Sequence, residues 1–186
     1  MRADARANHR DIIVAASQLM RQEGPEVSLR AVANEAGVGV ATLYRHFPTR
    51  LHLLAAVVED TEERVRGIAQ DFHSGLGTVE QRWQRFTREV ANLNLMTVSR
   101  TVRAAFLEED SPHRARMLAV ESSVESIMDE AVVAARASGL VGEDVSGLRF
   151  LVGLLMVSRP LTPEVEDALP GQQEWLLNLY LRGLRP

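Results

Sequence analysis

Apolar residues recur along this chain at intervals of three and four, and strict alternation is missing; that spacing lines one face of a helix. From about Asp4 to Gln22 it gathers Ile12, Ala15, Ala16, Leu19 and Met20 on one side, and Gly24-Pro25 closes the stretch. Ser28 caps a short second helix through about Glu35, which Gly37 stops. A third short helix runs from about Val40 to His46, and Pro48-Thr49 opens a long fourth to about Ser74. Beyond the break at Gly75-Leu76-Gly77, helices are predicted near 78–97, 99–109, 112–138, 144–158 and 171–184. Ser111-Pro112 is a cap followed by proline in the first turn, Gly139–Gly142 is a stop, and Pro160 and Pro163 bound the loop before the last helix. With no hairpin signal and no internal repeat, the expected fold is all-α, with about nine helices.

The first three helices carry the densest pattern. Val32 and Ala33 turn the second inward, Gly37 supplies a positive-φ turn, Val38 fills the corner, and Leu43 and Phe47 anchor the third. This leaves Val40, Ala41, Thr42, Tyr44, Arg45 and His46 facing outward, rich in groups that reach bases or phosphates. The spacing is that of a helix-turn-helix, whose second helix enters the major groove N-terminus first.

Charge changes the picture modestly. The net charge of the 186 residues is −4, yet residues 1–50 hold seven Arg against five acids, and residues 51–186 hold fourteen Arg against twenty acids. A slightly basic head on an acidic body suits a protein that meets phosphate at one end. All basic residues are Arg, as in a GC-rich coding sequence. No Cys is present, which removes disulfides and thiolate chemistry. Arg2, Arg6 and Arg10 precede no long apolar run, and the longest apolar stretch is Phe150–Val157, well short of the roughly 20 residues of a membrane span. A cytoplasmic protein with no membrane partner is expected.

At Val27-Ser28-Leu29-Arg30-Ala31-Val32-Ala33-Asn34-Glu35-Ala36-Gly37-Val38, and again at Ala41-Thr42-Leu43-Tyr44-Arg45-His46-Phe47-Pro48-Thr49-Arg50, the chain resembles the tetracycline-repressor (TetR) family of bacterial regulators. Ile12-Ile13-Val14-Ala15-Ala16 fits that family's first helix. The resemblance implies a DNA-binding head at 1–50 and a helical ligand-binding and dimerisation body at 51–186. It also implies a homodimer on a palindromic operator and a small-molecule effector. Carried over by position, Ser28, Thr42, Tyr44, His46 and Arg50 are phosphate contacts, and Arg30, Val40, Ala41 and Arg45 face base edges. Gly39 departs from the Ser or Thr that often caps the family's recognition helix, and Arg50 replaces a frequent lysine.

In the body, Trp83, Phe86, Leu93, Met96, Phe106, Met117 and Met128 are the large side chains on helices flanking the expected effector cavity, most of them ordinary core with two or three touching a ligand, and Arg103 among apolar neighbours either snorkels to the surface or anchors an anion. The segment Val145–Val157 is apolar nearly all round, with Leu148, Leu151 and Leu155 on one side and Phe150, Leu154 and Val157 on another. Trp175 and Leu179 face away from Leu177, Tyr180, Leu181 and Leu184 on the last helix. Two apolar faces require two partners, so Leu148, Leu151, Leu155, Trp175 and Leu179 are read as a dimer interface, with Gly147 and Gly153 permitting close approach.

Gly37-Val38-Gly39 lacks the third glycine and preceding strand of a dinucleotide site, and no Walker loop, Gly-x-Ser-x-Gly or His-Glu-x-x-His occurs. No catalytic residue, metal site or cofactor is expected. The acidic run Glu59-Asp60-Thr61-Glu62-Glu63 reads as a solvated face, and Glu108-Glu109-Asp110 as a solvent-exposed helix end or, alternatively, part of a cationic-effector site. The alternatives to an effector-released repressor are a ligand-independent or activating regulator and a helical enzyme with a borrowed head.

Overall fold

A computed structural model describes residues 2–24, 26–93, 106 and 112–186, with side chains from residue 7 onward. Among these residues there are nine helices and no strand: α1 (Arg2–Glu23), α2 (Leu29–Glu35), α3 (Val40–His46), α4 (Arg50–Ser74), α5 (Val79–Asn92), α6 (Arg114–Arg136), α7 (Gly147–Val157), α8 (Pro163–Ala168) and α9 (Gln172–Gly183). The second and third helices lie where the apolar pattern predicts them. The helix expected at 99–109 lies outside the described residues, except for Phe106, which is helical.

One helix stands where the sequence predicts a loop. Thr162 is at the N-cap of α8, Pro163 occupies its first turn, and Glu164 and Glu166 follow. Proline at N1 forfeits no intrahelical bond, and acids there complement the helix dipole. The same proline that suggests a loop is therefore the helix's start. All residues from Thr162 to Pro170 are exposed, so no apolar periodicity marks the element.

The described residues fall into two compact units, 2–62 with 106 and 112–120, and 63–93 with 121–186. In the first, α1 packs on α2 and α2 on α3, around Ile12, Ala16, Met20, Val32, Ala33, Leu43, Phe47, Leu53 and Val57, all buried. Arg116 of α6 bonds Glu59 Oε1 at 2.9 Å and Glu62 Oε2 at 3.4 Å. Glu62 is only 8% exposed. The acidic run on α4 is thus no plain solvated face, because two of its carboxylates meet an arginine that sequence spacing alone does not bring near.

In the second unit, α5 and α9 each pack against α7. Trp83, Phe86 and Phe150 form its aromatic centre, with Trp83–Phe150 centroids 4.8 Å apart and Phe72 also in contact. A capping box between Thr78 and Gln81 starts α5, and the Ser146 side chain caps α7. The small residues expected at a subunit contact are used within the chain instead. A Cβ on Gly147 would lie 2.4 Å from the Asp129 backbone nitrogen, and one on Gly153 would lie 2.5 Å from the Tyr180 hydroxyl.

Candidate nucleic-acid interface

The turn between α2 and α3 is built by the backbone. Ser28 accepts a bond from the Ala31 N–H at 3.1 Å, satisfying a free donor at the start of α2. At the other end Gly37 adopts φ 65°, and the Val38 N–H returns to the Ala33 carbonyl at 3.0 Å. A side chain at position 37 would be strained there, because L-residues rarely enter this region. Gly39 then leads into α3 with no side-chain cap, as its lack of a hydroxyl requires.

Burial sorts the third helix cleanly. Leu43 and Phe47 are 0% and 3% exposed, whereas Tyr44 is 48% and Val40 36% exposed. Ala41 and Arg45 are exposed as well, and Thr42 and His46 are half-buried. Arg45 Nη2 donates to Thr42 Oγ1 at 3.1 Å, which lays the guanidinium back along the helix. Arg30 and Ser28 are exposed on α2.

Arg50 is held differently from a free phosphate ligand. Its Nη1 donates to the Val27 carbonyl at 2.7 Å and so ties the start of α4 to the segment entering α2. Thr49 Oγ1, just before α4, lies 2.7 Å from His52 Nδ1 and accepts from the His52 N–H at 3.3 Å.

The neighbour that sequence spacing misses is His9. Its ring lies 4.8 Å from Phe47 and edge-on to His46 at 5.7 Å. Partial burial, and after it the charge of His46, hold the His9 imidazole below its ordinary value. Nothing local in the sequence announces this contact, which depends on α1 passing the end of α3.

Of the eight residues expected at the effector cavity, six are described. Met96 and Arg103 lie outside the described residues. Trp83, Phe86 and Met128 are within 2% of full burial in the core of the second unit, and Phe106 and Met117 are buried in the first. Trp83 also borders a groove of the second unit.

On the expected dimer face, Leu148, Trp175 and Leu179 are 51%, 52% and 45% exposed, and Leu151 and Leu155 are half-buried. Val152 and Met156, also about half exposed, share that surface of α7. Phe150 and Leu154, opposite, are fully buried. Among the described residues no helix is long and apolar enough to cross a membrane, and no cluster of metal-ligating side chains occurs.

Comparison with known proteins places the head among regulators. The profile of bacterial regulatory proteins of the tetR family matches residues 12–57. An HTH-type transcriptional regulator of Staphylococcus aureus (strain USA300) is 35% identical over 79 residues. That match spans 40% of this chain and 43% of the relative, so the chain covers less than half the length of this curated relative. Across nearly the whole length, the TetR transcriptional regulator SCO0520 from Streptomyces coelicolor is 27% identical, with a TM-score of 0.64 over 96% of this chain and 98% of that one. AibR, solved in complex with isovaleryl coenzyme A and operator DNA, shares the fold at 21% identity, with a TM-score of 0.60 over 96% of this chain and 98% of its own.

Proposed function

We propose that this chain is a TetR-family regulator, as the match at residues 12–57 and the likeness of its fold support, and that it is a homodimeric repressor released from a palindromic operator by a small molecule. The observation that carries the reading is the division of α3, with Leu43 and Phe47 buried and Val40, Ala41, Tyr44 and Arg45 turned outward. Such a helix presents a side-chain surface to the major groove without disturbing its own core.

In this reading Arg30, Val40, Ala41 and Arg45 address base edges, and Ser28, Thr42, Tyr44, His46 and Arg50 address phosphates. The Ser28 hydroxyl still has its hydrogen to donate while capping α2. Arg50 orders the head through Val27 as well as contributing charge. Residues 1–50 act on DNA, and residues 51–186 dimerise and receive the effector. The protein works at the chromosome, in the cytoplasm, without catalysis.

The exposed apolar surface of α7 and α9 supports pairing of two copies. Recognition helices of a dimer must stand roughly 34–36 Å apart to enter successive major grooves. An effector that favours another spacing weakens DNA binding, and DNA weakens effector binding by the same factor. A gel-shift titration with the DNA upstream of the protein's own gene tests the reading. A specific complex that dissociates as salt rises is expected, and equal affinity for that DNA and scrambled duplex would overturn it.

A further inference from the structure

From the groove between α5, the segment after α6 and the end of α9, we infer a binding site for a small amphipathic carboxylate of roughly ten non-hydrogen atoms. The groove encloses about 280 Å³. Trp83, Leu140 and Leu181 form its floor, each less than a tenth exposed, so their accessible edges offer apolar surface for an alkyl or aryl body. Arg182 and Arg185 stand at the rim opposite Glu80.

The charges at the rim are not equivalent. Arg185 is paired with Glu80. Arg182 makes only a long 3.4 Å bond from Nε to a carbonyl of its own helix, and among the described residues no carboxylate partners it. The groove therefore carries one uncompensated guanidinium on a body that is acidic as a whole, with fourteen Arg against twenty acids over residues 51–186. A guanidinium of this kind binds a carboxylate through paired, charge-assisted bonds.

The site gives the effector of the proposed repressor a chemical class and in that respect rests on the reading above, but binding itself is tested without DNA. The chain has two tryptophans, so Trp175→Phe leaves Trp83 as the sole indole reporter. In that background sodium octanoate is titrated while Trp83 emission is followed, with octylammonium and octanol as controls. Octanoate should shift the emission saturably, and the two controls should not. Arg182→Gln should weaken the octanoate response by about tenfold or more, and Arg182→Lys, which keeps the charge but not the paired bonds, should weaken it less. No saturable change up to about 10 mM octanoate, an equal response to octylammonium or octanol, or an unchanged response in Arg182→Gln would each overturn the assignment. A protein that binds octanoate but no operator would sink only the regulatory reading.

Discussion

Tyr180 of α9 donates its phenolic hydrogen to the Phe150 carbonyl of α7 at 2.7 Å, its ring lying in the space that Gly153 leaves open. Burial pushes the phenol up to about 12, so it stays protonated and keeps its hydrogen to donate. This contact fixes which side of each helix faces the core, and hence which side is left exposed.

Gly153→Ala should therefore destabilise the second unit. Overpacking of about 1–3 kcal/mol outweighs the roughly 1 kcal/mol that alanine contributes in helix propensity. Tyr180→Phe removes one hydrogen bond and should cost about 0.5–1.5 kcal/mol. Denaturant melts check both values. If Gly153→Ala is as stable as the wild type, the close approach of the two helices is not a constraint.

Dimerisation should be separable from folding. Val152→Glu with Leu179→Glu places two charges on half-exposed positions and is expected to yield a helical monomer. Substituting Leu151 and Leu155 mixes the two effects, because both are half-buried. Sedimentation and circular dichroism distinguish the cases. A wild type that sediments as a monomer at micromolar concentration would remove the basis for a preformed dimer.

The arginines of the head should behave differently on DNA. Arg30→Ala is expected to relax preference at one base pair, at about 1–3 kcal/mol. Arg50→Ala should weaken binding to all sequences and flatten the salt dependence by about one ion. It should also lower the melting temperature, because the Val27 carbonyl loses its guanidinium donor. Equal losses for Arg30→Ala on cognate and scrambled duplex would show that Arg30 reads no base.

Acid should loosen the head through His9. Its folded pKa lies below the ordinary 6.5, so the unfolded chain binds the proton more readily between the two values. The contribution of His9 to stability is complete above the unfolded value and is lost as pH falls through the folded one. The melting temperature of the wild type should thus fall more steeply than that of His9→Phe as pH drops below the ordinary 6.5. Parallel pH profiles for the two proteins would remove His9 from this role.

Trp83→Ala is expected to cost about 3–5 kcal/mol in stability, because its ring is 2% exposed among Phe72, Phe86 and Phe150. A chemical denaturation curve suffices to test this, and a near-neutral change would mean that the aromatic centre can collapse around the loss.

The amino-acid sequence by itself determined the features governed by neighbours a few residues apart. Ser28 and Ala31, Ala33 and Val38, Leu43 and Phe47 meet through local backbone geometry. For that reason the helix-turn-helix and the outward set of Tyr44 and Arg45 are legible in the order of residues alone. The two sides of α7 are legible on the same ground, since helical period separates Phe150 and Leu154 from Leu148, although Leu151 and Leu155, read with Leu148, are half-buried. Only the tertiary structure decided which distant residues meet. His9 reaches His46 across thirty-seven positions, Arg116 reaches Glu59 and Glu62 across more than fifty, and Gly153 proves to serve Tyr180 of its own chain. It also brought Trp83 against Phe150, sixty-seven positions away. Periodicity reports that a side chain is turned inward. Which other helix it then meets depends on how the whole chain closes, and no local spacing encodes that.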